Sequence, residues 1–465
     1  MSLASGGFAD KSAWPLLPGE RTWGRWRLAI ALATAAAATW CYLIGEYVGY
    51  YLGFVQGAVA LTAGCMIGML LVFLAAGPVC ARYGLDSVAS TKPQFGTSGW
   101  VIPALMQIVS IIGWNSLLLI FFAKSAAQLL GVLGVLPPGV GAREIVPAAT
   151  LLACALIYFA LLWGAKGVSI ISRILVAHVA VGLWMLWLLV SRRWPELVSA
   201  HPAMASPDRL WNYTTGVELG IATTLSWWPY VGAMIRMAPN GRSVVLPVML
   251  GMGAPVPLLS LIGLAGVLVL KTSDPAEWLR TVGGTTYAIV ALAFVGSANF
   301  GTAITGIYSS AIGLRNFAAL ERTPWSLLLL ATIAPVALIG VVIPDLFFAR
   351  FGTFLAFIGV GFAPLCGIQI ADTFLLRRDG ASLGGIFRRD AGGPYAFSRG
   401  FNPAALLAML AGCGVYMALL NPITFVSSAP YRFLTASLPS ALCAGLAYAL
   451  LTRACVRWRN APARP

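Results

Sequence analysis

In 465 residues the chain carries only 10% charged side chains against 59% hydrophobic ones, and its mean hydropathy is +0.85. A soluble domain carries about 25% charged residues to wet its surface, so this composition excludes a water-soluble enzyme or binding module. The net charge of +15 would suit a nucleic-acid partner, but the basic residues are scattered through short loops and form no stripe, which excludes that reading too.

A membrane-crossing helix needs about 20 mostly apolar residues. By that measure twelve spans follow in order, which predicts an all-α polytopic membrane protein. The first six cover Leu28 to Tyr51, Val55 to Ala81, Gly99 to Leu130, Ile145 to Trp163, Val168 to Val190 and Thr214 to Met237. The second six cover Val244 to Leu270, Thr285 to Leu314, Trp325 to Ile343, Phe351 to Leu376, Ala404 to Leu420 and Phe433 to Leu451. Arg25, Arg27 and the alanines after them imitate a signal peptide, but the apolar run continues through Tyr51 and eleven spans follow it.

With the N-terminus inside, 21 of the 30 Lys and Arg fall on the cytoplasmic side and eight opposite, with Lys124 inside span 3. This obeys the positive-inside rule and predicts cytoplasmic termini in a cell inner membrane. The parts are a tail over 1–27, a ten-helix core over 28–376, a basic loop over 377–403, helices 11 and 12 over 404–451, and a tail over 452–465. The eight cysteines show no CxxC spacing and read as small packing residues, with no metal cluster or disulfide framework.

Ionisable groups inside a bilayer are costly and usually face a cavity or a partner. Glu46, Lys124, His178 and Glu218 fall well inside spans, and Asp372 lies near the end of span 10. Glu46 stands out, because Gly45, Gly49 and Gly53 weaken the helix around it and predict a break there. Lys124 and His178 read as structural or interfacial. In span 6, Ser226-Trp227-Trp228-Pro229-Tyr230 predicts a second break, since proline removes a donor and clashes with the preceding turn. Span 3 carries Gly113-Trp114-Asn115 at mid-helix. Span 8 carries Ser297, Asn299, Thr302, Thr305, Tyr308, Ser309 and Ser310; most suit close helix packing, and Thr302 is the first choice as an oxygen ligand for a small cation.

Four stretches together resemble the nucleobase–cation symporter-1 family, in particular its bacterial cytosine-permease and hydroxymethylpyrimidine-transporter branch. They are Gly45-Glu46-Tyr47-Val48-Gly49; Ala81-Arg82-Tyr83-Gly84-Leu85 with Ser90-Thr91-Lys92 and Phe95-Gly96; Gln107 with Ile112-Gly113-Trp114; and Ala371-Asp372-Thr373-Phe374-Leu375 with Arg377 and Arg378. The resemblance implies a leucine-transporter-like 5+5 inverted repeat (about 28–190 and 214–376) plus two C-terminal helices. It implies a flat heterocycle between Trp114 and Trp227, with Glu46 at the ring edge and Asn115, Ser226, Thr305 and Gly306 nearby. It places a sodium site near Tyr42, Gly45 and Thr302, in members that use sodium. The sequence departs from the family at Ala233, where aspartate is common, at Gly306, where several members carry an acid or amide, and at Leu118, polar in some relatives.

The expected protein is a secondary importer of a pyrimidine-type nucleobase, coupled to Na+ or H+, without a cofactor, and a monomer or weak oligomer in the lipid bilayer. An amino-acid or amine carrier on the same architecture is the alternative. No HExxH, GxSxG or P-loop supports an enzyme.

Overall fold

A computed structural model describes residues 14–36, 38–136, 139–162, 165–239, 244–271, 284–388 and 392–459. Among them, regular structure is helical, with isolated bridges only at Ser398–Phe401 and Leu420–Ser427. An apolar chain in a bilayer must pair its backbone groups within each segment, and helices do so.

The first span is two helices, α1 (Arg25–Ala36) and α2 (Trp40–Gly49). Spans 2 to 5 are α3 (Phe54–Tyr83), α4 (Val101–Val132), α5 (Ala142–Leu162) and α6 (Ala165–Ser199). The sixth span is again divided, into α7 (Arg209–Leu225) and α8 (Trp228–Ile235). Then come α9 (Val245–Leu270), α10 (Gly284–Leu314), α11 (Trp325–Val342), α12 (Phe351–Leu376), α13 (Pro403–Leu419) and α14 (Ser437–Arg459).

The packing repeats across the two halves. Span 1, through α2, lies on span 7 (α9), and span 6, through α7, lies on span 2 (α3), which is the same relation with the halves exchanged. Both crossings are glycine contacts. A Cβ on Gly45 would sit 1.7 Å from the Ser260 carbonyl oxygen, and one on Gly263 would sit 1.7 Å from that of Tyr42. A Cβ on Gly64 would lie 2.2 Å from the Val217 carbonyl oxygen, and one on Gly220 would lie 3.0 Å from Gly64 Cα. Backbones approach this closely because membrane helices gain their association from packing and polar contacts more than from a hydrophobic drive. Helices α13 and α14 pack on α12, where a Cβ on Gly367 would lie 1.9 Å from the Ala441 carbonyl oxygen.

Three of the intramembrane charges serve this framework. Glu218 accepts from the Ala436 and Ser437 N–H groups (3.0 and 3.1 Å) and from the Ser437 hydroxyl (2.6 Å), at the positive N-terminal end of α14. Asp372 accepts from Gln94 Nε2 (2.7 Å) and Tyr448 Oη (2.9 Å) and is paired with Arg377. Lys124 Nζ sits 4.3 Å from the Phe348 ring centroid. The His178 side chain lies outside the described residues.

Candidate functional site

Each break leaves backbone groups that helical bonding no longer serves. In the first span the break falls between Ala36 and Trp40. The Ala36 carbonyl accepts from the Ala38 N–H (2.9 Å) and the Cys41 thiol (3.2 Å). The Thr39 N–H and hydroxyl both donate to Asn299 Oδ1 of α10, at 3.2 and 2.7 Å. In the sixth span the break is Ser226–Trp227. The Ser226 hydroxyl donates to the Thr223 carbonyl (2.5 Å), and Pro229 occupies the first turn of α8, where its missing N–H costs nothing.

Both breaks present an indole to the same place. Trp40, the first residue of α2, has its ring centroid 5.5 Å from that of Trp227 in the other break. It lies 5.3 Å, edge to face, from Trp114 of α4. Trp114 continues into Phe351 of α12 at 5.1 Å, and Trp227 into Tyr230 at 4.9 Å. All three indoles are at least nine-tenths buried. Trp228 turns the other way: its Nε1 donates to Gln369 Oε1 (2.6 Å), whose Nε2 donates to Ser90 Oγ (3.0 Å). Of the two adjacent indoles in span 6, Trp227 therefore joins the aromatic cluster and Trp228 the framework.

Residues 15–435 match the family of permeases for cytosine/purines, uracil, thiamine and allantoin. The chain belongs to this family. It is 22% identical to the cytosine permease of Escherichia coli O157:H7 over 314 residues, 67% of this chain and 68% of that one. Mhp1, a nucleobase-cation-symport-1 family transporter solved closed with bromovinylhydantoin bound, superposes with a TM-score of 0.76 at 20% identity, covering 96% of this chain and 95% of Mhp1. Its inward-facing form gives 0.78 at 19% identity, covering 96% and 93%. The permease therefore has the leucine-transporter-like fold expected of it, with two discontinuous helices, and it is a transporter rather than an enzyme.

Several residues of the permease lie elsewhere than the sequence suggested. The break in helix 1 includes Ala38 and Thr39 and is not beside Glu46, because Asn299 rather than glycine decides its position. Glu46 is buried inside α2 and accepts from Tyr50 Oη at 2.5 Å. Six residues on from Trp40, it lies about 120° around the helix from that indole. Tyr42 and Gly45 are on the α2 face packed against α9, whereas the Thr302 hydroxyl donates to Ala298 of its own helix at 3.1 Å. The Thr305 hydroxyl likewise donates to Gly301 (3.3 Å). Gly306 adjoins Asn115: a Cβ there would be 2.4 Å from Asn115 Oδ1, so its lack of a side chain makes room for that amide.

Asn299, Thr302 and Gly306 form one stripe of α10 at helical spacing, facing the break and Asn115. Sequence reasoning counted Asn299 as one polar residue among many and did not single out Trp40 or Phe351. An amide at mid-span was the available signal. Nothing local marks Trp40, whose importance comes from the break before it.

Proposed function

We propose that this permease imports a nucleobase or related pyrimidine-type heterocycle, such as cytosine or hydroxymethylpyrimidine, together with Na+ or H+. The observation that carries this reading is the convergence of Trp40, Trp114 and Trp227 at the point where both discontinuous helices break. Flat faces of buried indoles suit an aromatic ring, and base–aromatic stacking contributes about 1–3 kcal/mol. An amino-acid carrier has no use for facing indoles. The relatives named as cytosine permeases support the same substrate class.

Orientation in the reading follows the charge bias. Leu16 N–H donates to the Gly84 carbonyl (3.0 Å), Arg21 Nη1 to that of Ala81 (2.9 Å), and Trp14 stacks on Phe387 (5.1 Å). The N-terminal segment, the loop after α3 and the basic loop after α12 thus share one end, which is the cytoplasmic side of a cell inner membrane. At the other end a cleft of about 440 Å³, counting space open to solvent, is lined by Tyr51, Trp211, Glu218, Gly352, Tyr416 and Tyr431. Gly352 of its lining is next in sequence to Phe351, the neighbour of Trp114. Rocking of one repeat about this midplane site would give alternating access.

Uptake of radiolabelled cytosine into proteoliposomes, with imposed sodium or pH gradients in turn, tests the reading. Accumulation that one gradient drives, and that Trp114→Ala abolishes, supports it. Uptake competed by amino acids and not by nucleobases would overturn it.

A further inference from the structure

A second cleft, sharing no residue with the indole cluster, lies where α3 and α12 end. Its volume is about 400 Å³, counting space open to solvent, and its lining includes Arg82, Gln94, Thr373, Arg377 and Arg378. Transport of a heterocycle leaves these two stretches of the sequence unused. Three guanidiniums here stand against one carboxylate of the lining, that of Asp372. The Asp379 carboxylate beside them in sequence is exposed and is not part of the lining. Arg377 is paired with Asp372, but the other two arginines are differently placed. Arg82 lies over the Tyr83 ring at 5.4 Å, and Arg378 gives its Nε–H to the Phe374 carbonyl at 2.9 Å. Neither is paired with a carboxylate among the described residues, so each keeps N–H groups for a further acceptor. Gly380 keeps room for them: its φ is +103°, and a Cβ there would lie 2.6 Å from Arg82 Nη1.

Two buried oxygens of the lining residues have no hydrogen-bond partner, Gln94 Oε1 and Thr373 Oγ1, and Gln94 is only 1% exposed. A buried acceptor left unmade costs free energy, and a ligand can complete it. The Gln94 amide cannot be turned round, because its Nε2 donates to the Asp372 carboxylate. Its Oε1 accepts only, so whatever completes it carries a donor. The ligand therefore needs acidic oxygens for Arg82 and Arg378 and an N–H or O–H beyond them.

Position narrows the class further. Phe374 and Leu375, on the last turn of α12, are each 43% exposed, so acyl chains meet headgroups at this depth. Basic pockets between the ends of membrane helices take lipid phosphates. We propose that this cleft binds the headgroup of an anionic phospholipid of the phosphatidylglycerol class, drawn from the adjoining leaflet. Its phosphate lies between Arg82 and Arg378, and a glycerol hydroxyl donates to Gln94 Oε1. An ethanolamine headgroup also carries a donor, but its ammonium cancels the negative charge that two unpaired guanidiniums favour. Such a lipid joins the end of a helix of the first repeat to the end of one of the second.

The test is thermal unfolding of the purified, delipidated full-length permease in detergent, titrated with single lipids. Dioleoyl-phosphatidylglycerol should raise the midpoint in a saturable way, and dioleoyl-phosphatidylcholine should not. Phosphatidylethanol has the same charge but no free hydroxyl, and it should bind about fivefold more weakly, the factor that one hydrogen bond supplies. Arg82→Gln and Arg378→Gln should each weaken phosphatidylglycerol by about fivefold, the contribution of one basic residue at a lipid surface. Arg322→Gln removes an exposed charge from the loop after α10, outside the cleft, and should change nothing. Equal weakening by all three substitutions would mean diffuse surface charge and overturn the proposal, as would equal stabilisation by phosphatidylcholine. Phosphatidylethanol that matches phosphatidylglycerol would overturn the headgroup class and the part given to Gln94. Glycerol 3-phosphate that displaces the lipid at equal concentration would make a soluble phosphate ester the ligand and overturn the lipid assignment. If Arg82→Gln does not yield a monodisperse protein, Arg378→Gln decides alone. No heterocycle enters these measurements, so their outcome is independent of the reading of the indoles.

Discussion

Helix 6 is interrupted at Ser226–Trp227, just ahead of Pro229, and its loose backbone groups are met by neighbours in sequence such as Thr223 and Thr224. Helix 1 is interrupted after a run of alanines, the best helix formers, and while its Ala36 carbonyl is met locally, the loose Thr39 N–H is met by Asn299, 260 residues away. One break is written locally and the other is imposed by a partner helix. Yet both put an indole at the same point, and both halves cross their neighbours on glycine. The difference teaches that equivalent geometry in the two repeats rests on unlike causes, so the two breaks should respond differently to substitution.

The largest effect is expected where backbones touch. Gly263→Ala forces a methyl group into the Tyr42 carbonyl and displaces α2 with its indole. Overpacking of this kind costs about 1–3 kcal/mol or more, read as loss of monodisperse protein and a lower midpoint of thermal unfolding. Gly220→Ala, with a 2.9 Å nearest approach, should be the milder partner in that pair.

Next comes the indole of the locally encoded break. Trp227→Ala should lower cytosine uptake by roughly 10- to 100-fold at normal membrane expression, the range that one stacking contact provides. Uptake within experimental error of wild type would remove helix 6 from the site.

The two breaks themselves are separated by Asn299→Ala and Pro229→Ala. The first strands the buried Thr39 N–H and should destabilise the permease by about 1–3 kcal/mol. The second restores an N–H in a first helical turn and should change stability by about 1 kcal/mol or less. Equal shifts in thermal unfolding would show that both breaks are held by tertiary contacts. The smallest effect is expected for Glu46→Gln, which keeps an acceptor for Tyr50 and should change uptake by about threefold at most. A collapse of uptake there would return Glu46 to the substrate or to the coupling ion.

Much of this was legible beforehand, for identifiable reasons. The indoles Trp114 and Trp227 were readable from the resemblance and from Gly113 and Pro229 beside them, although α4 runs unbroken through Gly113. Their common contact with Trp40 was not, since it depends on α2, α4 and α8 arriving together. The glycines around Glu46 invited a break that did not occur there. Those glycines serve the crossing with α9: Gly45 lies against Ser260 and Gly49 against Val267. Glycine lowers helix propensity by the same absence of a side chain that permits close packing, and a sequence cannot tell the two uses apart.

By itself the sequence determined the bilayer as solvent and about twelve spans. These follow from composition and run length, which act residue by residue. Only the tertiary structure decided where helix 1 breaks, which of two adjacent tryptophans joins the indole cluster, and that Glu218 and Asp372 hold the framework together. Those outcomes turn on hydrogen bonds between residues more than 100 positions apart, and a polar group in an apolar helix does not reveal its partner until the helices pack.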